Sequence, residues 1–494
     1  MTLSKLSVYL LAILAATRIP LAPAYLYHFD SVNFALSLHN FNPALHQPQP
    51  PGYPLFVGLL RVLHLFIPKP EHVLLAGGIV VAAAAGVFLW RLAQQMFDDE
   101  AAVFALAIFL FTPPCWFGGI TNQVRLCLAM YSTGLALLAW RALHRPVSAS
   151  SLYLAFAALG LGAGFRPALG VQLAPLLLWV WWLTGHSALR LVIGVAMAAV
   201  ASVPWIAAAA LSVGGLTEWL QLMWTYSRDQ FGGSSAAFGA PTASAWKMAA
   251  RALMWNGLPA VAWIWAVPAV WKRATAAPDQ KRAIFLLVWI TPILFFSALI
   301  HIGDPDQALG SIPAICLIGG AVLAAFLRNI GWRRVVLAAV AVAAVNAALF
   351  FVPPGRAARA SSYHTVAIAD ANVQAVFRSI DSAKRGAQAP VAILEFNAAP
   401  SWRHLMYYYP NDYVVFLNPD PNGTSWTVQR REALNHMRPA DRLPPGARVV
   451  VLVAPSESPV ALRESGWRQE DRVFYRDLET GSQVRVGPYT FSRP

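Results

Sequence analysis

Carboxylates are scarce in the first 352 residues, where only ten acidic side chains occur. One of them, Asp30, stands just past the first apolar run and ahead of the segment His46-Gln-Pro-Gln-Pro-Pro-Gly-Tyr-Pro54. A carboxylate fixed within hydrogen-bond reach of a hydroxyl or amine can take its proton. It can also simply cap a helix, here one beginning near Ser31, because Asp is a favoured N-cap residue. A second group of interest is Arg166 in Gly162-Ala-Gly-Phe-Arg166-Pro167, a cation between two apolar runs that needs a polar partner or a route to an interface. His46, Arg61 and Arg125 are weaker cationic candidates. The turn His301-Ile-Gly-Asp304-Pro-Asp306-Gln307 holds two acids and a histidine that could line a polar ligand or coordinate a divalent metal, or could be a solvated turn initiated by Asp304-Pro305.

The elements that must carry these residues are largely apolar. Apolar residues make up 57% of the 494 and charged residues only 12%, as in a multi-pass membrane protein and unlike a globular one. The formal charge of +14 does not imply nucleic acid, because Lys and Arg of the first 352 residues cluster between apolar runs as orienting loop charges do. Eleven spans are expected, near residues 5–23, 72–96, 101–118, 123–140, 151–166, 168–184, 189–211, 247–271, 283–301, 308–327 and 332–352. Residues 53–67 form an apolar stretch too short to span, interrupted by Arg61 and His64, and read as an interfacial helix. With that helix outside the count, the positive-inside rule leaves Arg91, the Arg141–Arg145 loop, Arg190, Lys272, Arg273, Lys281, Arg282, Arg328, Arg333 and Arg334 in the cytoplasm. It leaves Asp30, Glu71, Glu218, Asp229, Asp304 and Asp306 on the opposite side.

From Pro353 onward the apolar runs stop and charged residues become frequent. Residues 391–396, 413–417 and 449–453 read as strands, and 402–409, 425–437 and 459–464 as helices, giving a small α/β domain on the extracytoplasmic side. The expected organisation is thus a domain of spans over 1–352, with an external loop at 24–71, and an extracytoplasmic α/β domain over 353–494. The three cysteines lie in or beside apolar runs, so no disulfide framework or cysteine metal site is expected.

The order of an apolar span, Asp30, an Ala35-containing helix, and the Pro51-Gly52-Tyr53-Pro54 element opening a juxtamembrane helix resembles the first external loop of the membrane-embedded C-type (GT-C) glycosyltransferases. That superfamily includes protein O-mannosyltransferases and aminoarabinose transferases. Further resemblance lies in Arg166 at a break between spans, in the polar turn 301–313 leading into a span, and in eleven or so spans followed by an external α/β domain. The resemblance implies a GT-C-like fold and transfer, with inversion, of a hexosyl or pentosyl group. The donor would be a polyprenyl-phosphate sugar and the acceptor a glycan, lipid or protein, at the outer face of a bacterial inner membrane. It implies Asp30 as general base and Arg166, with His46 and Arg125, as ligands of the donor phosphate. Tyr53, Asn122, Gln123, His301, Asp304, Asp306 and Gln307 would touch sugar or acceptor.

The chain departs from the pattern at Gly119-Ile-Thr-Asn122-Gln123-Val-Arg125, where relatives often carry a second acid. A neutral amide there can orient a substrate but cannot act as a base. No resident metal or cofactor is assigned, and a divalent ion at 301–306 stays an open alternative. Two other readings stand beside the transferase. One is a transporter or flippase of a lipid-linked or small polar substrate, which would place ionisable residues deep within spans. The other is a non-catalytic relative that binds a lipid-linked sugar.

Overall fold

The computed structural model describes residues 3–493 apart from 122, 145–148, 186, 236–241, 274–278, 301–304, 329, 385–389, 396–399, 418–424, 429–437, 440–442, 444–445, 454–457 and 487–488. The chain divides into two compact units. The first comprises Met1–Ala22 and Pro50–Thr365, the second Pro23–Gln49 and Val366–Pro494. The loop 24–71 is therefore shared between them, its first half grouping with the C-terminal residues.

The first unit is helical. Among the described residues, five helices are long and apolar enough to cross a bilayer, namely Pro70–Met96, Leu126–His144, Ala188–Leu211, Gln280–Ile300 and Trp332–Phe351. The number rises to seven if each of two bent pairs is one span. Shorter apolar helices occupy Pro54–His64, Ser150–Gly162, Pro167–Leu183 and Ile312–Phe326, and Leu3–Arg18 lies in the first expected span. Two of the eleven expected spans are broken. The run 101–118 is the pair Asp99–Phe111 and Pro113–Ile120, bent by 51°. The cause is local, since Thr112 precedes Pro113 and takes the extended conformation (ψ 137°) that a residue before proline prefers. The run 247–271 bends by 62° between Ala249–Ala262 and Ile264–Lys272, where Trp263 leaves the helical conformation at φ −142° and ψ −15°. Between the expected spans 189–211 and 247–271 the chain is helical over Leu216–Ser234.

Small residues let these helices approach closely, as packing between apolar helices requires where there is no water to drive it. A Cβ on Gly320 would lie 2.4 Å from the carbonyl oxygen of Ala101, so helices 312–326 and 99–111 meet at backbone distance. Gly160 plays the same part against Ala198 of the helix 188–211, where a Cβ would come within 1.9 Å of the carbonyl oxygen.

The second unit is built on a seven-stranded sheet. Its strands are β1 (Ala392–Glu395), β2 (Tyr413–Leu417), β3 (Ser425–Val428), β4 (Arg438–Pro439), β5 (Val449–Val453), β6 (Arg468–Glu470) and β7 (Val473–Asp477), in the order β4-β3-β2-β1-β5-β7-β6. β8 (Gln483–Val486) and β9 (Tyr489–Ser492) form a separate antiparallel pair. The central strands β2, β1 and β5 are parallel, and all of β1 and β5 is buried; the run is apolar as parallel strands covered on both faces require, except for Glu395, whose carboxylate accepts the Trp402 N–H. Leu394, Val415, Leu452, Trp467 and Phe474 make the core. The helix expected over 425–437 begins instead as β3, antiparallel to β2. Trp426, Thr427 and Val428 are residues that suit a pleated surface, and the edge of β2 supplies partners for their backbone. The helix Tyr363–Ala383 buries Val366, Val373, Val376, Phe377 and Ile380, a stripe at helical spacing.

Candidate active site

In the first unit, Tyr53 and Arg166 come together. Tyr53 precedes Pro54, which opens the helix Pro54–His64, and it sits in the left-handed region at φ 49°, a conformation uncommon for a side chain of this size. Arg166 is the N-cap of the helix Pro167–Leu183, extended at φ −161° and ψ 100° ahead of its proline. Its Nη1 donates to the Tyr53 hydroxyl at 2.5 Å, and the guanidinium carbon lies 5.6 Å from the centre of the Tyr53 ring. The glycines before Arg166 make the approach geometrically feasible. A Cβ on Gly164 would fall 2.7 Å from Trp205 and 2.8 Å from Leu55, and one on Gly162 would overlap the Tyr131 ring at 2.0 Å. The result is a cation and a phenol at the start of a helix, groups that together suit an anionic oxygen.

Two further elements picked out by sequence are neighbours in this unit. The turn Gln123–Arg125, in which Arg125 is buried, packs against the turn Pro305–Gly310 that carries Asp306 and Gln307. The second turn is anchored by Ser311, whose Oγ donates to Asn256 Oδ1 at 2.6 Å, and by Leu309 against Gly118. Asn122, His301 and Asp304 lie outside the described residues. Arg61 stands in the last turn of the helix that Tyr53 begins, far along its axis from the phenol.

In the second unit, Asp30 lies in the first turn of the helix Phe29–Ser37. The cap of that helix is His28, whose Nδ1 accepts the Asp30 N–H at 3.2 Å, so the alternative reading of Asp30 as the N-cap is replaced. The Asp30 carboxylate lies 3.8 Å from the same Nδ1, beyond hydrogen-bond length. The Asp30 side chain is 18% exposed and stands at the helix end that favours negative charge.

His46 follows the short turn Pro43–Leu45 in a left-handed conformation, inside a tight loop closed by Asn42 and Gln47 through paired backbone hydrogen bonds of 2.7 and 3.0 Å. Burial and the nearby Arg403 guanidinium hold its imidazole down to about 4. It is therefore neutral at physiological pH and brings a hydrogen bond, not a charge, to any ligand.

Sequence reasoning missed the group that holds this loop. Arg403, in the helix Trp402–Tyr408, is fully buried, and burial lowers its guanidinium to about 10. Its Nε donates to Asn33 Oδ1 at 2.8 Å and one terminal nitrogen to the carbonyl oxygens of His46 and Leu45 at 3.0 and 3.3 Å. Next to it, His404 Nε2 donates to the Leu26 carbonyl at 3.0 Å, which fixes the tautomer and leaves Nδ1 to accept from Ser401 Oγ at 2.8 Å. Leu26 N–H donates in turn to the Tyr408 hydroxyl at 2.9 Å. The signal in the sequence was an Arg-His pair within an aromatic-rich helix, whose partners, several hundred residues earlier, nothing local reveals.

At the level of sequence, no protein-family model and no curated protein matches the chain. Solved structures do. ArnT from Cupriavidus metallidurans bound to undecaprenyl phosphate aligns over 95% of this chain and 97% of its own, with a TM-score of 0.59 at 14% identity. The same enzyme in the apo state aligns over equal shares, with a TM-score of 0.58 at 15% identity. A more distant likeness, with a TM-score of 0.45 at 15% identity, is to the Archaeoglobus fulgidus oligosaccharyltransferase in the apo form, over 83% of this chain and 63% of that one. The chain shares the fold of these ArnT structures over nearly its whole length.

Proposed function

We propose, from this shared fold, that the chain is an integral membrane glycosyltransferase of the GT-C kind that moves a sugar from a polyprenyl-phosphate carrier to a hydroxyl or amine of a glycan, lipid or protein acceptor. The work would take place at the outer face of a bacterial inner membrane. The observation that carries the reading is the alignment of nearly the whole chain with an ArnT structure bound to undecaprenyl phosphate. A shared fold alone does not fix an activity, so the reading also leans on residues suited to each half of the reaction.

In the proposed step, the acceptor oxygen or nitrogen attacks the anomeric carbon of the donor from the face opposite the phosphate. The carbon–oxygen bond to the phosphate breaks, and the configuration inverts. Asp30 takes the proton that the acceptor sheds as the new bond forms. The phosphate that leaves gains negative charge, which Arg166 meets with its guanidinium and Tyr53 with its hydroxyl. A bidentate guanidinium suits a phosphate better than an ammonium would. Arg125 is the second candidate for the phosphate and His46 a neutral hydrogen-bond partner. Gln123, Asp306 and Gln307 are assigned to the sugar or acceptor, with Asn122, His301 and Asp304 beside them in sequence.

The purified protein in lipid nanodiscs, incubated with undecaprenyl-phosphate mannose, glucose and aminoarabinose and with lipid and glycan acceptors, is expected to release undecaprenyl phosphate and form a glycosylated product. Binding of undecaprenyl phosphate with no transfer from any of these donors would favour the non-catalytic relative. Absence of both binding and transfer would contradict the reading.

A further inference from the structure

We infer that Arg403 is the positioning residue for Asp30, so that the C-terminal sequence forms part of the catalytic apparatus; this rests on the reading of Asp30 as base. A fully buried guanidinium is costly unless its N–H groups are met by acceptors. Three of its acceptors come from one short stretch, the Asn33 side chain and the carbonyls of Leu45 and His46. Asn33 lies three residues after Asp30 in the same helix, hence on a neighbouring part of its surface. Its amide nitrogen donates to Gln49 Oε1 at 3.3 Å, so the same side chain joins the helix Phe29–Ser37 to the returning segment of the loop. The neighbour of Asp30 is held as well, since the Phe29 ring meets Trp402 edge to face at 5.5 Å. One planar cation thus fixes both the rotation of the Asp30 helix and the turn that brings the chain back. A lysine, with a point charge in place of a fork, cannot reach the three acceptors together.

A base displaced by about 1 Å can lose on the order of a hundredfold in rate while the donor still binds. The test uses the full-length protein in nanodiscs, with Arg403→Lys, Asn33→Leu and Asn33→Asp. Hydrogen exchange over residues 29–37 and 42–49 is expected to rise in Arg403→Lys and Asn33→Leu and to stay near the wild-type rate in Asn33→Asp, which keeps an acceptor for the guanidinium. In the first two variants, kcat for transfer from the undecaprenyl-phosphate sugars named above is expected to fall at least about tenfold, with the affinity for undecaprenyl phosphate within about threefold of wild type. Asn33→Asp is expected to recover most of the turnover that Asn33→Leu loses.

Unchanged exchange over 29–37 in Arg403→Lys would overturn the inference, as would an equal fall in phosphate affinity and turnover, the mark of a general packing role. Full transfer by Asp30→Asn would sink the base reading on its own. Combined with raised exchange in Arg403→Lys, that result would make Arg403 a clamp without a catalytic purpose and would overturn the inference too.

Discussion

Arg166 Nη1 donates to the Tyr53 hydroxyl at 2.5 Å, linking the residue before one helix to the residue before another, 113 positions away. Each partner is followed by a proline that starts its helix, so the pair is held by two rigid helix entries and not by flexible loops.

If this pair meets the donor phosphate, Arg166→Gln removes a charge-assisted contact. It is expected to weaken undecaprenyl phosphate binding by roughly ten- to a hundredfold, the equivalent of about 1.5–3 kcal/mol. Tyr53→Phe keeps the ring and loses the hydroxyl, with an expected loss of about three- to tenfold. Titration of nanodisc-embedded protein with undecaprenyl phosphate measures both. An Arg166→Gln variant that binds as tightly as wild type would remove Arg166 from the phosphate site.

The glycines of the 160s are expected to act through packing. Gly164→Ala meets Trp205 and Leu55 at under 3 Å, and Gly160→Ala meets the Ala198 backbone, which cannot rotate away. Gly164→Ala is expected to destabilise the first unit by about 1–3 kcal/mol, and Gly160→Ala by more. Thermal unfolding in detergent reads the effect. A Gly164→Ala variant of unchanged stability but reduced phosphate affinity would show that the turn is displaced and not strained.

Acid is expected to loosen the second unit. Burial, with the Arg403 charge, holds His46 at about 4, and burial, with His28 against the opposing bond to the Leu26 carbonyl, holds His404 at about 4, both from an ordinary 6.5. Between those values the unfolded chain binds protons that the folded one refuses, so the stability present above about pH 6.5 falls as pH drops toward 4. Protonation of His404 at Nδ1 would reverse its bond with Ser401, whose Oγ would then accept. Hydrogen exchange over residues 23–49 is the measurement, expected to accelerate between pH 7 and about pH 5, after correction for intrinsic exchange, and to do so less in His46→Gln. An exchange profile flat with pH would contradict it.

The sequence showed the membrane-spanning character because apolar runs leave a signature independent of partners, and it showed the strands 413–417 and 449–453 because β-branched residues are concentrated there. Arg166 was conspicuous as a cation between apolar runs, but its contact with Tyr53 was not. It did not show the break at Thr112 as a bend of 51°, although Pro113-Pro114 were visible, since hydropathy averages over proline. Nor did it show that Ser425–Val428 is a strand, whose pairing depends on the free edge of β2. Least legible was the tie from Arg403 to Asn33, across 370 positions, because a hydrogen bond between distant segments has no local pattern.

The central claim is that Asp30 removes the acceptor's proton, and turnover of Asp30→Asn tests it most directly. With folding matched by hydrogen exchange, the variant is expected to bind undecaprenyl phosphate within about threefold of wild type and to transfer sugar roughly a hundred- to ten-thousandfold more slowly. Transfer by Asp30→Asn at the wild-type rate would contradict the account.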